Sequence, residues 1–137
     1  MIVVAFGDSI TQCADQPEAA RWTSLLGVKG PAFKVINAGV GGNTSAEGLA
    51  RVEHDVLAHR PDLVLVEFGG NDATPEQDRH VAVEDFVENL ERMREAIERA
   101  GARMVLLTFP PIINEWHGWT GNELFDGYDG PDGYIEQ

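Results

Sequence analysis

The stretch IVVAFGDSI, residues 2–10, decides the fold. Its first five residues form an apolar run typical of a buried strand, and the run ends abruptly at Gly7, Asp8 and Ser9. A serine or aspartate directly after a strand suits the N-cap of a following helix. A serine there also suits a nucleophile at the rim of a sheet. The local pattern leaves both roles open for Ser9.

Three further apolar runs resemble the first, and they lie at residues 33–36, 63–68 and 103–109. They are rich in Val, Leu and Phe and nearly continuous, as in strands that are covered on both faces. Helix-like segments separate them. Residues 44–47 read as a capping box, an apolar stripe runs from Val83 to Ile97 before Gly101, and a weaker helix is expected over 17–26. This alternation predicts an α/β domain with a parallel sheet.

Composition limits the class of protein. The 137 residues suit one domain spanning 1–137, and 43% of them are hydrophobic. The net charge of −13 disfavours nucleic acid and anionic membrane surfaces as partners. Cys13 is the only cysteine, which rules out an internal disulfide or a thiolate metal cluster. No run approaches the roughly 20 apolar residues of a membrane span. No signal peptide precedes Ile2, so we expect a cytoplasmic protein unless a leader was removed.

Glycine and small polar residues follow each of the first three strands. The three segments read GDS at 7–9, NAGVGGN at 37–43 and GGND at 69–72. Each alone could be a tight turn or a helix cap, and 39–43 could cradle a phosphate, although its spacing matches neither common phosphate loop. Because the carboxyl ends of parallel strands line one crevice, the three segments together predict a shared site.

Longer motifs around these segments resemble a known family. FGDSIT, NAGVGGNTS and VEFGGND are similar, in that order, to the first three sequence blocks of the SGNH, or GDSL-type, esterases and lipases. The resemblance implies a three-layer α/β/α fold with a flavodoxin-like sheet and a reaction without metal or organic cofactor. It implies that Ser9 is the nucleophile, and that the Ser9 and Gly42 backbone N–H groups and the Asn71 amide form an oxyanion hole. Asp8 would organise the turn.

The family's Asp-x-x-His block, which supplies the general base, is absent. The four histidines are His54, His59, His80 and His117, and the residues three positions before them are Arg51, Val56, Gln77 and Asn114. We expect the first three histidines on the solvated surface. His117 and Trp116 lie in a glycine-rich, aromatic segment after the fourth strand, and we expect them to line the substrate pocket. The aromatic residues of this segment could instead pack it against the domain.

Three explanations fit the missing base: an incomplete chain, a second polypeptide or subunit that supplies it, or a noncatalytic descendant. The family's sheet has a fifth strand and a covering helix, which this chain lacks, so its fourth strand would be an unpaired apolar edge. We therefore expect a further segment or polypeptide to complete the sheet. The sequence favours a serine hydrolase of a small acyl ester, short-chain or carbohydrate acetyl. The alternative is a noncatalytic ligand-binding or scaffold protein.

Overall fold

Four parallel strands form one sheet in the computed structural model, which describes residues 1–30, 32–76, 78–110, 118–119, 121–127 and 131. The strands are β1 (Ile2–Gly7), β2 (Lys34–Gly39), β3 (Leu63–Glu67) and β4 (Arg103–Leu106). Their order across the sheet is β2-β1-β3-β4, the order of the first four strands of a flavodoxin-like sheet. The predicted α/β class is confirmed, and β4 ends three residues earlier than its apolar run.

Among the described residues, four α-helices connect or flank the strands: α1 (Ser9–Gln12), α2 (Trp22–Lys29), α3 (Ser45–Asp55) and α4 (Val83–Arg99). The weak helix expected over 17–26 is shifted, because Glu18–Ala20 form a 3-10 turn and α2 begins only at Trp22. None of the helices among the described residues has the length and apolarity needed to cross a membrane.

The predicted signals at the ends of α3 and α4 are confirmed. At the start of α3, the Thr44 side chain accepts the Glu47 N–H, and the Glu47 carboxylate accepts the Thr44 N–H at 2.8 Å. At the end of α4, Gly101 has a φ of +86° and its N–H donates to the Glu98 carbonyl at 2.9 Å. This left-handed turn is the reason for a glycine there.

Helices cover both faces of the sheet. On one face, strand residues pack against α3 and α4 in a core that contains Val4, Phe6, Val64, Val66, Val52, Val56, Met93 and Ile97. On the other face, α2 lies against β2. The result is the predicted three-layer arrangement, in which β1 and β3 are the central strands.

The outer side of β4 is an exposed apolar edge among the described residues. Val105 is 37% exposed and Leu106 is 53% exposed, whereas Val4 and Phe6 of the central strand β1 are completely buried. An apolar edge strand can pair with another strand. The structure thus agrees with the expectation that β4 is an open edge in this part of the chain.

Candidate active site

The loops after β1, β2 and β3 meet at the carboxyl edge of the sheet. The Val40 N–H donates to the Gly7 carbonyl at 3.0 Å, which ties the second loop to the first. The Asn71 side-chain amide donates to the Asn43 carbonyl at 3.0 Å, which ties the third loop to the second. The three segments singled out in the sequence are therefore neighbours in space, as parallel strands require.

Ser9 is the first residue of α1, and its side chain is exposed. The residue that caps this helix is Asp8, whose Oδ1 accepts the Ile10 N–H at 2.8 Å. The interpretation of Ser9 as the N-cap is therefore wrong, because the carboxylate one residue earlier already occupies that position. The Ser9 hydroxyl has no hydrogen-bond partner in the part of the chain that the structure describes. It is free to meet a ligand.

The glycine pair of the second loop lies beside Ser9. A methyl group built on Gly41 would be 3.8 Å from Ser9 Cβ. Gly42 has a φ of +80°, a conformation that strains any L side chain, although a Cβ there would meet only Arg79 Nη2, at 3.9 Å. Among the described residues, neither the Gly42 N–H nor the Ser9 N–H donates to an acceptor. Two unpaired backbone donors thus lie in the loops that flank the exposed hydroxyl.

Asn71, the third predicted donor, is already engaged. Its Nδ2 donates to Asp8 Oδ2 at 2.9 Å and to the Asn43 carbonyl at 3.0 Å, so both amide hydrogens have acceptors. The amide could serve a ligand only by sharing or releasing one of these bonds. The structure therefore brings all three predicted oxyanion-hole residues to one edge but leaves only two of them unpaired.

Two carboxyl groups are buried directly behind Ser9. Asp8 is 2% exposed and Glu67, the last residue of β3, is 3% exposed. Glu67 Oε2 accepts the Thr11 hydroxyl at 3.1 Å. Burial, followed by the charge of Asp8, raises the pKa of Glu67 to about 7. Burial also raises the pKa of Asp8, against the lowering effect of its hydrogen bonds from Ile10, Glu67 and Asn71. No role was predicted for Glu67 from the sequence.

Asp72 anchors the third loop to the start of α3. Its carboxylate accepts both the Ser45 N–H, at 2.9 Å, and the Ser45 hydroxyl, at 2.5 Å. Asn89 in turn donates to the Ser45 hydroxyl at 3.0 Å. Burial raises the pKa of Asp72 despite these bonds. The residue next to Asn71 is therefore a structural anchor that fixes the loop on a neighbouring helix.

Arg51 of α3 links the first two loops through hydrogen bonds from its side chain. Its guanidinium donates to the carbonyls of Gly7 and Ala38 at 2.9 and 2.8 Å, and to Asn43 Oδ1 at 2.7 Å. It also lies 4.4 Å from the centre of the Phe6 ring, a cation–π contact. No role was predicted for Arg51 from the sequence, because an arginine on an amphipathic helix is usually solvated.

The structure tests the predictions for some of the histidines and leaves those for His117 and Trp116 untested. His117 and Trp116 lie outside the described residues, so their predicted place in the pocket stays a prediction. His54 and His59 are exposed, as expected. His80 is not: it is half-buried, and its Nδ1 lies 3.1 Å from the Thr74 carbonyl. That contact holds the ring against the loop after β3.

Part of the aromatic segment packs against the domain. The Trp119 and Phe125 rings stack with their centres 6.2 Å apart. Phe125 is buried and clusters with Ala73 of the third loop and with Val83 at the start of α4. For these two aromatic residues the structure favours packing over an open binding face.

The four-stranded parallel sheet with helices on both faces is an α/β fold, and it matches the fold of solved SGNH hydrolases. The chain belongs to the GDSL-like Lipase/Acylhydrolase family, which matches residues 5–129. The resemblance seen in the three sequence blocks is thereby confirmed.

Individual related proteins support membership of the same family. The chain is 35% identical over 119 residues to the uncharacterized lipoprotein YqeF of Bacillus subtilis, covering 81% of this chain and 49% of YqeF. It is 33% identical over 109 residues to the esterase TesA of Pseudomonas aeruginosa, covering 77% and 52%. The solved structure of the acetyl xylan esterase AlAXEase superimposes with a TM-score of 0.76 at 26% identity, covering 99% of this chain and 69% of that one. The chain spans about half the length of the two curated relatives.

Proposed function

We propose that this protein is a serine ester hydrolase in which Ser9 is the nucleophile. The observation that carries the proposal is the exposed Ser9 hydroxyl, which lies next to the glycine loop that offers the unpaired Gly42 N–H. The Ser9 N–H, also unpaired, belongs to the first turn of α1. Backbone donors fixed in this way stabilise charge that develops on a carbonyl oxygen.

The reaction is an acyl transfer. The Ser9 Oγ attacks the ester carbonyl carbon, its proton passes to a general base, and the carbonyl oxygen becomes an oxyanion held by the Ser9 and Gly42 N–H groups. Collapse breaks the bond to the alcohol oxygen, which takes the proton from the base. Water then attacks the acyl-serine in the same manner and releases the acid. The chemistry requires no metal or organic cofactor.

Asn71 joins the oxyanion hole when it exchanges one partner. Its bond to the Asn43 carbonyl is neutral, whereas its bond to Asp8 is to a carboxylate. Hydrogen bonds to charged acceptors are the stronger ones. The substrate oxygen therefore replaces the Asn43 carbonyl, and the Asp8 bond keeps the amide in place.

The general base comes from a histidine outside the described residues, on a further segment or a second polypeptide that also adds a strand beside β4. Two observations support this: the Ser9 hydroxyl has no partner among the described residues, and β4 presents Val105 and Leu106 to solvent. The matched segment of this chain covers only 49% and 52% of two curated relatives, which leaves room in them for such a segment.

The proposed substrate is a small uncharged acyl ester, short-chain or on a carbohydrate. The names of TesA, an esterase, and AlAXEase, an acetyl xylan esterase, support this class. The net charge of −13 disfavours strongly anionic esters. The cytoplasmic location expected from the sequence stays a prediction, since the relative YqeF is called a lipoprotein.

Hydrolysis of para-nitrophenyl acetate by the native protein tests the proposal. Ser9→Ala should lower kcat/KM by about 10³-fold or more, because the nucleophile is removed. Ser24→Ala, a matched change in α2, should leave the rate as it is. Equal rates from native protein and Ser9→Ala would contradict the proposal.

A noncatalytic ligand-binding protein is the second candidate, and the absence of a base beside Ser9 among the described residues favours it. In that case an acetylated sugar would bind without turnover. Calorimetric titration with the intact sugar, followed by analysis of the recovered ligand, separates the two: released acetate supports the hydrolase, and intact ligand supports the binding protein.

A further inference from the structure

Asp8 and Glu67 form a buried carboxyl pair that the proposed reaction leaves without a function. Gly7 of β1 pairs with Glu67 of β3 in the parallel sheet. Asp8, the residue after Gly7, therefore lies beside Glu67. The two carboxyl groups are close enough that, beyond the effect of burial, the charge of Asp8 raises the pKa of Glu67. Glu67 Oε1 is buried and finds no donor elsewhere among the described residues.

Two ionised carboxylates cannot hydrogen-bond to each other, because both are acceptors only. One shared proton supplies the missing donor and removes one of two adjacent buried charges. The other charged groups around the pair are Asp72, whose charge adds to the repulsion, and Arg51, which donates to the Gly7 carbonyl. Burial and like-charge repulsion therefore favour one proton shared between the two carboxyl groups.

Glu67 is the member that carries this proton. Asp8 already accepts two N–H donors, from Ile10 at 2.8 Å and from Asn71 at 2.9 Å, and both stabilise its charge. Glu67 accepts only the Thr11 hydroxyl, at 3.1 Å. The pKa of Glu67 is raised to about 7, which also favours Glu67 as the protonated residue of the pair.

We propose that protonated Glu67 donates to Asp8 and is a positioning residue for Asn71 and for the turn that carries Ser9. The Glu67 proton keeps Asp8 ionised and in place, and Asp8 in turn fixes the Asn71 amide and caps α1. Loss of the proton would place two like charges in contact and weaken the hold on Asn71. The catalytic part of this inference rests on the proposed function, whereas the protonation of Glu67 does not.

The protonation is tested by carbon-13 NMR of native protein labelled at the glutamate side-chain carboxyl, with Glu67→Gln to assign the signal. Glu67 should titrate with a midpoint near 7, and exposed glutamates near about 4.3. Thr11→Val should move the Glu67 midpoint to higher pH, because the hydroxyl stabilises the ionised form. A Glu67 midpoint equal to that of the exposed glutamates would overturn the inference, whatever the esterase assay shows.

The positioning role is tested by the pH profile of kcat for ester hydrolysis. Native protein should lose activity as Glu67 ionises above a pH of about 7. Glu67→Gln, which keeps a donor toward Asp8 but cannot ionise, should lack this alkaline fall. Glu67→Leu, which has no donor, should lower kcat across the whole range. A Glu67→Gln profile identical to that of native protein would overturn the role, and activity retained in Ser9→Ala would instead contradict the proposed function.

Discussion

The side-chain amide of Asn71 donates to the Asp8 carboxylate at 2.9 Å, although 63 positions separate the two residues in sequence. The same carboxylate caps α1 through the Ile10 N–H. One acidic side chain thus fixes both the turn that carries Ser9 and the amide proposed to join the oxyanion hole. This explains why an acid stands directly before the proposed nucleophile.

Asp8 and Ser9 should therefore differ in their effect on stability. Asp8→Ala removes the cap and leaves Asn71 without its charged partner, so the free energy of unfolding should fall by about 1–2 kcal/mol. Ser9→Ala removes a hydroxyl with no partner among the described residues and should change it by less than about 0.5 kcal/mol. Urea unfolding of both variants measures the difference. A larger loss in Ser9→Ala would show that the serine, and not the aspartate, stabilises this turn.

Gly42 should be required for activity beyond its effect on stability. Gly42→Ala and Gly101→Ala place a side chain at φ values of +80° and +86°, and neither Cβ would be crowded. Both should lose about 1–2 kcal/mol of unfolding free energy through backbone strain. Only Gly42→Ala should also lower kcat, because the added Cβ and the strained backbone disturb the approach of the substrate oxygen to the Gly42 N–H, the proposed oxyanion donor. Equal kcat values for the two variants would contradict the role of Gly42 in the oxyanion hole.

The sequence predicted the sheet because β1 and β3 are nearly continuous apolar runs that the structure buries. It predicted the meeting of the three loops because parallel strands direct their carboxyl ends to one edge. The caps of α3 and α4 followed from local residues alone. Each of these features depends on a short segment or on the order of strands and helices along the chain. Both can be predicted from the sequence pattern.

Other features depend on contacts between distant segments. Asp8 rather than Ser9 caps α1, and both residue types suit that position. Arg51 is held by carbonyls of two other elements, which its helical pattern does not indicate. Glu67 did give a signal, since it is the only charged residue in the apolar run 63–68, but its partner Asp8 belongs to another strand.

Glu67 should make stability depend on pH. Its pKa rises from 4.5 to about 7 on folding, so the folded state binds more protons between these values and loses stability as the pH rises through that window. Glu67→Gln removes this dependence. Between about pH 4 and about pH 8, the native protein should lose up to about 3 kcal/mol of unfolding free energy relative to Glu67→Gln. If the difference in unfolding free energy between the two proteins stays constant over this range, the pKa of Glu67 does not change on folding.

The open edge of β4 should be covered in the native protein. The Arg103 N–H donates to the carbonyl of Asp62, just before β3, and the Leu107 N–H donates to the carbonyl of Val66 in β3. The alternating N–H groups of Met104 and Leu106 therefore point away from the sheet. If a further strand pairs there, these two amides should resist hydrogen exchange. The outward amides of Val35 and Asn37 on the opposite edge strand are the matched control and should exchange rapidly. Equal rates at both edges would contradict a completed sheet.

Reaction of the native protein with a fluorophosphonate, which phosphonylates an activated serine and releases fluoride, tests the catalytic assignment most directly. Peptide mass spectrometry should find the adduct on Ser9, with esterase activity lost in proportion to labelling, and Ser9→Ala should remain unlabelled. Full ester hydrolysis after complete modification of Ser9, or an adduct on another serine that accounts for the lost activity, would contradict the assignment.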